Sequence, residues 1–161
     1  MQYEVPGMTL IPQQLDWSCW YASAQMLIQW KQDSLQQSLA DLVPPDLDAM
    51  CRRIRDDNQG ITNPQIMDMA QRLGLATVPP VCPTPSTISG WLQDYGPLWV
   101  NGKTHIVVIA GINGLNVKVY DPSPKNAGNI DWRSLQTWYE GSDVDSRDIS
   151  DGVQAVFLYC P

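Results

Sequence analysis

The chain is short of several things that would assign it quickly. It has one histidine, two glutamates and no Cys-x-x-Cys pair in 161 residues. Four widely spaced cysteines, Cys19, Cys51, Cys82 and Cys160, with a single histidine are a poor donor set for a Cys/His zinc site. No metal and no cofactor is expected. Basic residues are scarce as well: ten Lys and Arg against seventeen Asp and Glu leave a net charge of −7. Phosphate recognition needs a basic stripe, so neither nucleic acid nor an anionic membrane is an expected partner. No stretch approaches the roughly 20 apolar residues of a transmembrane helix. The opening MQYEVPGMTLIPQQ lacks a basic n-region followed by an apolar h-region, so no secretory signal peptide is expected, and the thiols are expected to be reduced in a cytosol. No repeat, linker or low-complexity run divides the chain. One domain over residues 1–161 is expected, large enough to bury roughly 70% of its unfolded surface.

What is present reads as helices first and strands afterwards. Residues 1–16 look extended, marked by Pro6, Gly7 and Pro12. From Ser18 the period changes: Cys19, Ala22, Ser23, Met26, Leu27 and Trp30 share one helical face, and Trp20, Ala24 and Ile28 make the first turns apolar nearly all round. That pattern predicts a buried central helix, leaving for solvent at Lys31 and Gln32. Residues 33–58 predict two short helices broken at Pro44-Pro45. Asn63-Pro64 opens another helix, ended by Gly74, and 75–85 read as extended. Ser86 or Ser89 starts a further helix, stopped at Gly96-Pro97. Segments 98–100, 105–112, 116–121 and 153–159 are rich in Val, Ile, Leu and Tyr and predict strands, with a Gly-Ile-Asn-Gly-Leu-Asn turn joining the middle two. This is an α+β layout with an antiparallel meander.

A cysteine where a proline-marked extended segment turns into a helix invites a chemical reading. The helix start and a nearby imidazolium both favour thiolate over thiol, and a nucleophilic cysteine needs a base, which in turn needs an orienting group. The one available imidazole is His105, at the start of HIVVI. The next strand ends in Tyr120-Asp121-Pro122. Two strands joined by a short turn are antiparallel neighbours, so Asp121 is expected beside His105. An oxyanion hole would use the Cys19 N–H and a side-chain amide, from Gln13 or Gln14. Singly, each has a bland explanation: a small buried thiol, a strand histidine, an Asp-Pro turn, a loop glutamine. Trp17 and Trp20 are expected as core and cleft wall. Cys51, Cys82 and Cys160 are expected to be buried or incidental.

Gln13, five residues, then Cys19-Trp20, with His105 and Asp121 following in that order, resembles the papain-type cysteine peptidases. IPQQLDWSCWYASAQML is similar to the signature of the compact effector peptidases that some plant-pathogenic bacteria inject into their hosts. GPLWVNGKTHIVVIAGI followed by VYDP resembles both those and the bacteriocin-processing peptidase domains of ABC exporters. TNPQIMDMAQRLGL falls where such domains carry a helix, whereas 33–60 and 123–150 match neither. The bacteriocin processors commonly carry Asp-Cys-Gly where this chain has Ser18-Cys19-Trp20, so cleavage after a double glycine is not implied.

The resemblance implies a papain-like fold, with the central helix packed on an antiparallel sheet. It implies Cys19 as nucleophile, His105 as general base and acid, Asp121 as orienting group and Gln13 as oxyanion donor. It further implies an effector or toxin made in the bacterial cytoplasm and delivered by a secretion system into a target cell. There it would cleave a protein, and a cognate immunity protein would be a partner. The same machinery serves a peptidoglycan amidase or a glutamine deamidase, and an inert peptidase-like binding module is the non-enzymatic alternative.

Overall fold

The helix expected from Ser18 forms over Cys19–Leu35 (α1) in a computed structural model that describes residues 2–36, 41–78, 84–101, 105–135 and 157–161. It runs past Lys31 and Gln32 and stops where Gln36 turns left-handed. Trp20, Tyr21, Ala22, Ser23, Ala24, Met26, Leu27 and Ile28 are all buried, so the first turns are enclosed nearly all round. One side lies on the sheet, where the Ser23 hydroxyl reaches Ile106 O and the Trp99 indole N–H donates to Trp20 O (3.1 Å). The other side is closed by Tyr21, whose hydroxyl donates to Asp46. Trp20 and Trp99 are both fully buried. Truncating either would cost about 3–5 kcal/mol.

The region 33–58 departs from expectation. Pro44-Pro45 opens only a 3-10 turn, Pro45–Leu47, and one short helix follows at Ala49–Asp56 (α2). Of the first expected helix, the described residues show only the tail of α1, which ends at Leu35; residues 37–40 lie outside the described residues. The next helix, Asn63–Leu73 (α3), is delimited as the sequence implied. Thr62 and Gln65 form a reciprocal capping box, and Gly74 closes it at φ 81°. Helix α4 spans Pro85–Tyr95, starting earlier than Ser86 or Ser89. The Thr84 hydroxyl accepts from Thr87 N–H (3.2 Å), and Pro85 suits a first turn that needs no N–H donor.

The strands are β1 (Gln2–Glu4), β2 (Ala76–Thr77), β3 (Leu98–Asn101), β4 (Ile106–Asn113), β5 (Asn116–Asp121), β6 (Asn129–Ser134) and β7 (Phe157–Tyr159). They form one antiparallel sheet in the order β2-β7-β3-β4-β5-β6. Strand β4 is central: β5 lies along one edge, while β3 pairs with Ile106–Ile109 and β1 with Gly111–Asn113. Its residues are buried from Ile106 to Ile112, which explains why it reads as an apolar run rather than an alternation. Residues 5–16 are not strand, although Val5 N–H still bonds Ala110 O (2.8 Å). Strand β6 was not among the strands expected from the sequence. Cys82, residues 79–83 of the expected extended segment and residues 153–156 of the expected last strand lie outside the described residues. Among the described residues no helix is long and apolar enough to cross a membrane.

Candidate active site

Three elements converge at the start of α1. The helix begins at Cys19 with no side-chain cap and no acidic residue in its first turn. Its free N–H groups therefore keep their partial positive charge. The Ser18 hydroxyl, placed where a cap would be, instead faces backwards, accepting from Leu15 N–H (3.1 Å) and donating to Leu15 O (3.2 Å). This fixes the approach loop and leaves the helix end to another occupant.

Strand β4 begins one residue after His105, and β5 ends at Asp121. Their antiparallel pairing sets the two side chains together, with His105 Nε2 2.5 Å from Asp121 Oδ1. Cys19 lies close enough to the ring to act on its charge. Burial of the imidazole opposes its charge, but the bond to Asp121 and the bond and charge of Cys19 outweigh it. They lift the His105 pKa from 6.5 to about 9. Asp121 is 7% exposed. Burial alone would raise its pKa, yet bonds from His105, Arg133 and the Ser123 N–H hold it below the ordinary carboxylate value. Cys19, a hydrogen-bonded base and an oriented carboxylate are thus contiguous.

Gln13 and Gln14 separate cleanly. Gln14 is exposed, whereas Gln13 is 5% exposed and tied on both backbone sides to the loop after β5: its N–H donates to Pro122 O (3.0 Å) and its carbonyl accepts from Asn126 N–H (2.8 Å). The segment carrying Asp121 onward therefore also positions Gln13. The Gln13 amide does not stand open. Its Nε2 donates to Leu15 O (2.9 Å) and Asp16 O (3.0 Å), and its buried Oε1 has no partner among the described residues. An oxyanion would have to replace one of those carbonyls.

The two tryptophans part company. Trp20 is core, its indole N–H donating to Gln59 O (3.0 Å). Trp17 is 58% exposed, and its backbone N–H is held by Asn58 Oδ1 (3.1 Å). The loop after α2 is thereby fastened to both sides of Cys19. Two contributors escaped the sequence reading: that loop, and Arg133 on β6, whose Nη2 donates to Asp121 Oδ2 (2.7 Å). The signal for β6 was present as the alternation of Ile130 and Trp132 with Asp131 and Arg133. Cys51 and Cys160 are free and buried, with burial first among the causes that push both thiols up to about 12. Neither competes as a nucleophile.

The family model described as papain-like cysteine protease AvrRpt2 matches residues 1–143. No curated protein matches the chain. Among solved structures, a double glycine motif protease from an AMS/PCAT transporter, in complex with its leader peptide, is similar with a TM-score of 0.56 at 13% identity. That match covers 100% of this chain and 99% of the other. UfSP from C. elegans has a TM-score of 0.55 at 13% identity, covering 100% of this chain and 34% of the other. At such identity the likeness is one of fold: helices on an antiparallel sheet.

Proposed function

Because the chain belongs to the papain-like cysteine protease family of AvrRpt2, a family of peptide-bond hydrolases, we propose that it cleaves a protein substrate through Cys19, His105 and Asp121, acting as a bacterial effector or toxin inside a target cell. The observation that carries the catalytic part is the contiguity of Cys19, His105 and Asp121 at an uncapped helix start. His105 carries its proton up to about pH 9, so an imidazolium stands beside Cys19 at neutral pH. The Cys19 sulfur attacks the scissile carbonyl, and the oxyanion is received by the Cys19 N–H and by the Gln13 amide as it leaves a loop carbonyl. His105 passes its proton to the departing amine and then takes one from the water that hydrolyses the thioester. Asp121 holds the ring in the tautomer with the proton on Nε2. No step calls for a metal.

The effector reading rests on the family. Its corollary is a partner, an immunity protein or inhibitor, that covers the Cys19 cleft in the producing cell.

The test compares the wild type with Cys19→Ala and His105→Ala, each induced in the bacterial cytoplasm, and maps new protein N-termini across the proteome. New termini and growth arrest in the wild type alone support a cytosol-acting peptidase. Glutamine-to-glutamate mass changes without new termini would make the protein a deamidase. Activity confined to muropeptides would make it a peptidoglycan amidase. Identical behaviour of all three chains would sink the enzyme reading in that host.

A further inference from the structure

Asp121 is held by more than the histidine it orients. Oδ1 faces His105 Nε2 (2.5 Å) and accepts from Ser123 N–H (2.9 Å). Oδ2 accepts from Arg133 Nη2 (2.7 Å), and Arg133 Nε donates in turn to Asp131 Oδ1 (2.9 Å). The guanidinium has a long way to come. In the β5–β6 register Asp121 pairs with Asn129, and Arg133 pairs with Val117 four residues back along β5. The side chain therefore runs along the sheet past Asp131, which lies opposite Val119, before it meets Asp121. Val117 and Val119 beneath this course are fully buried, while Arg133 and Asp131 keep one side open to solvent. A surface ion pair has no need of such a path.

Resting on the acyl-transfer reading above, we propose that Arg133 is a positioning residue: it clamps the far oxygen of Asp121 so that the near oxygen stays on His105 Nε2. Without the clamp, a carboxylate buried to this degree would hold an uncompensated charge on Oδ2. It would relieve that by taking up a proton or by turning away, and either move weakens the acceptor that keeps His105 charged and oriented. The charged and titratable groups around the pair are Cys19 from α1, His105 at the start of β4, and Arg133 and Asp131 from β6. Asp16 and Lys125 pair with each other in the flanking loops (3.2 Å). Asp131 acts on Arg133 alone, turning the guanidinium so that one nitrogen remains for Asp121.

The experiment needs no knowledge of the substrate. Iodoacetamide alkylation of Cys19, located by peptide mass spectrometry, is followed against pH in the wild type, Arg133→Gln and Arg133→Lys. The wild type is expected to show a plateau of rapid alkylation whose upper edge, where the imidazolium loses its proton, lies near pH 9. Arg133→Gln is expected to narrow that plateau from both ends. The acid limb rises by about one pH unit, the lower end of what an adjacent guanidinium does to a carboxylate, and the upper edge falls. Arg133→Lys, which keeps the charge but not the fork, is expected to restore the acid limb while leaving part of the upper shift. Plateaus that coincide in the wild type and Arg133→Gln overturn the role of Arg133. A wild type with no plateau overturns the acyl-transfer reading itself. If Arg133→Gln does not fold, NMR of the wild type decides. The single histidine gives one imidazole signal set, and its acid transition must coincide with that of the Arg133 Nε–H. Separate transitions overturn the clamp.

Discussion

Gln13 is expected to matter to activity and little to stability. Its amide makes two bonds to carbonyls but leaves a buried acceptor without a donor among the described residues. Two such bonds contribute about 0.5–1.5 kcal/mol each, and an unsatisfied buried group costs about 1–3 kcal/mol, so the terms largely cancel. Gln13→Ala is therefore expected to melt close to the wild type. Its kcat/KM should fall about 10²-fold, the low end for an oxyanion donor, because the amide must first release a carbonyl. Unaltered turnover would remove Gln13 from the mechanism. Asp121→Asn is expected to behave differently, losing at least about 10²-fold in kcat and also stability. It strands the Arg133 guanidinium beside a neutral amide that can no longer neutralise it. Equal melting temperatures for Asp121→Asn and the wild type would contradict that account.

At the scale of elements, the helix ends are local matters and the strand neighbours are not. Helix α3 stops at Gly74 for two separate reasons. The residue is at φ 81°, and a Cβ there would lie 2.0 Å from Asp41 O, a backbone atom that cannot swing away. Gly74→Ala is expected to destabilise the fold by about 1–3 kcal/mol or more, since it combines left-handed strain with a steric clash. Thr62→Ala, which removes one half of the capping box, is expected to cost about 1 kcal/mol. Urea titration of the two variants checks the ranking, and a larger loss in Thr62→Ala would reverse it. The α3 boundaries were readable because capping residues and glycine act within one turn of the chain. Strand β6 was missed because its outer face carries Ile130 and Trp132, both exposed, and its inner face carries Asp131 and Arg133. A polar inner face inverts the usual pattern, and here the charges face Asp121.

For the molecule as a whole, the charges of the candidate active site should leave a mark on stability against pH. The His105 pKa is raised in the folded state, so its contribution is complete below about 6.5 and is lost as pH rises through about 9. Asp121 is shifted the other way: its contribution is present above about 3.8 and is lost as pH falls through its depressed folded value. Cys51 and Cys160 reinforce the alkaline loss, because above about 9 the unfolded thiols ionise while the folded ones, pushed to about 12, do not. Thermal melting is expected to be highest between about pH 4 and 6.5 and to decline toward pH 9. His105→Ala should flatten the segment between pH 6.5 and 9 and leave the steeper fall above it. An unchanged slope in that variant would show that the His105 charge is not linked to folding.

The amino-acid sequence by itself singled out Cys19, His105 and Asp121 as the candidate nucleophile, base and carboxylate. One cysteine stands at a helix start, one histidine exists at all, and an Asp-Pro pair ends the strand beside it. Short-range rules suffice for these: helical period, capping, and the antiparallel pairing that a tight turn enforces. It also determined the central helix, whose apolar residues on every side admit only burial. The resemblance already favoured Gln13 over Gln14, and the tertiary structure showed that Gln13 is the enclosed amide, held by hydrogen bonds to Pro122 and Asn126 more than a hundred residues away. It alone separated Trp17 from Trp20. And it alone brought Arg133 to Asp121, through a side chain running four residues off the strand register, a contact that depends on the reach and direction of one long side chain and so leaves no period or spacing in the sequence.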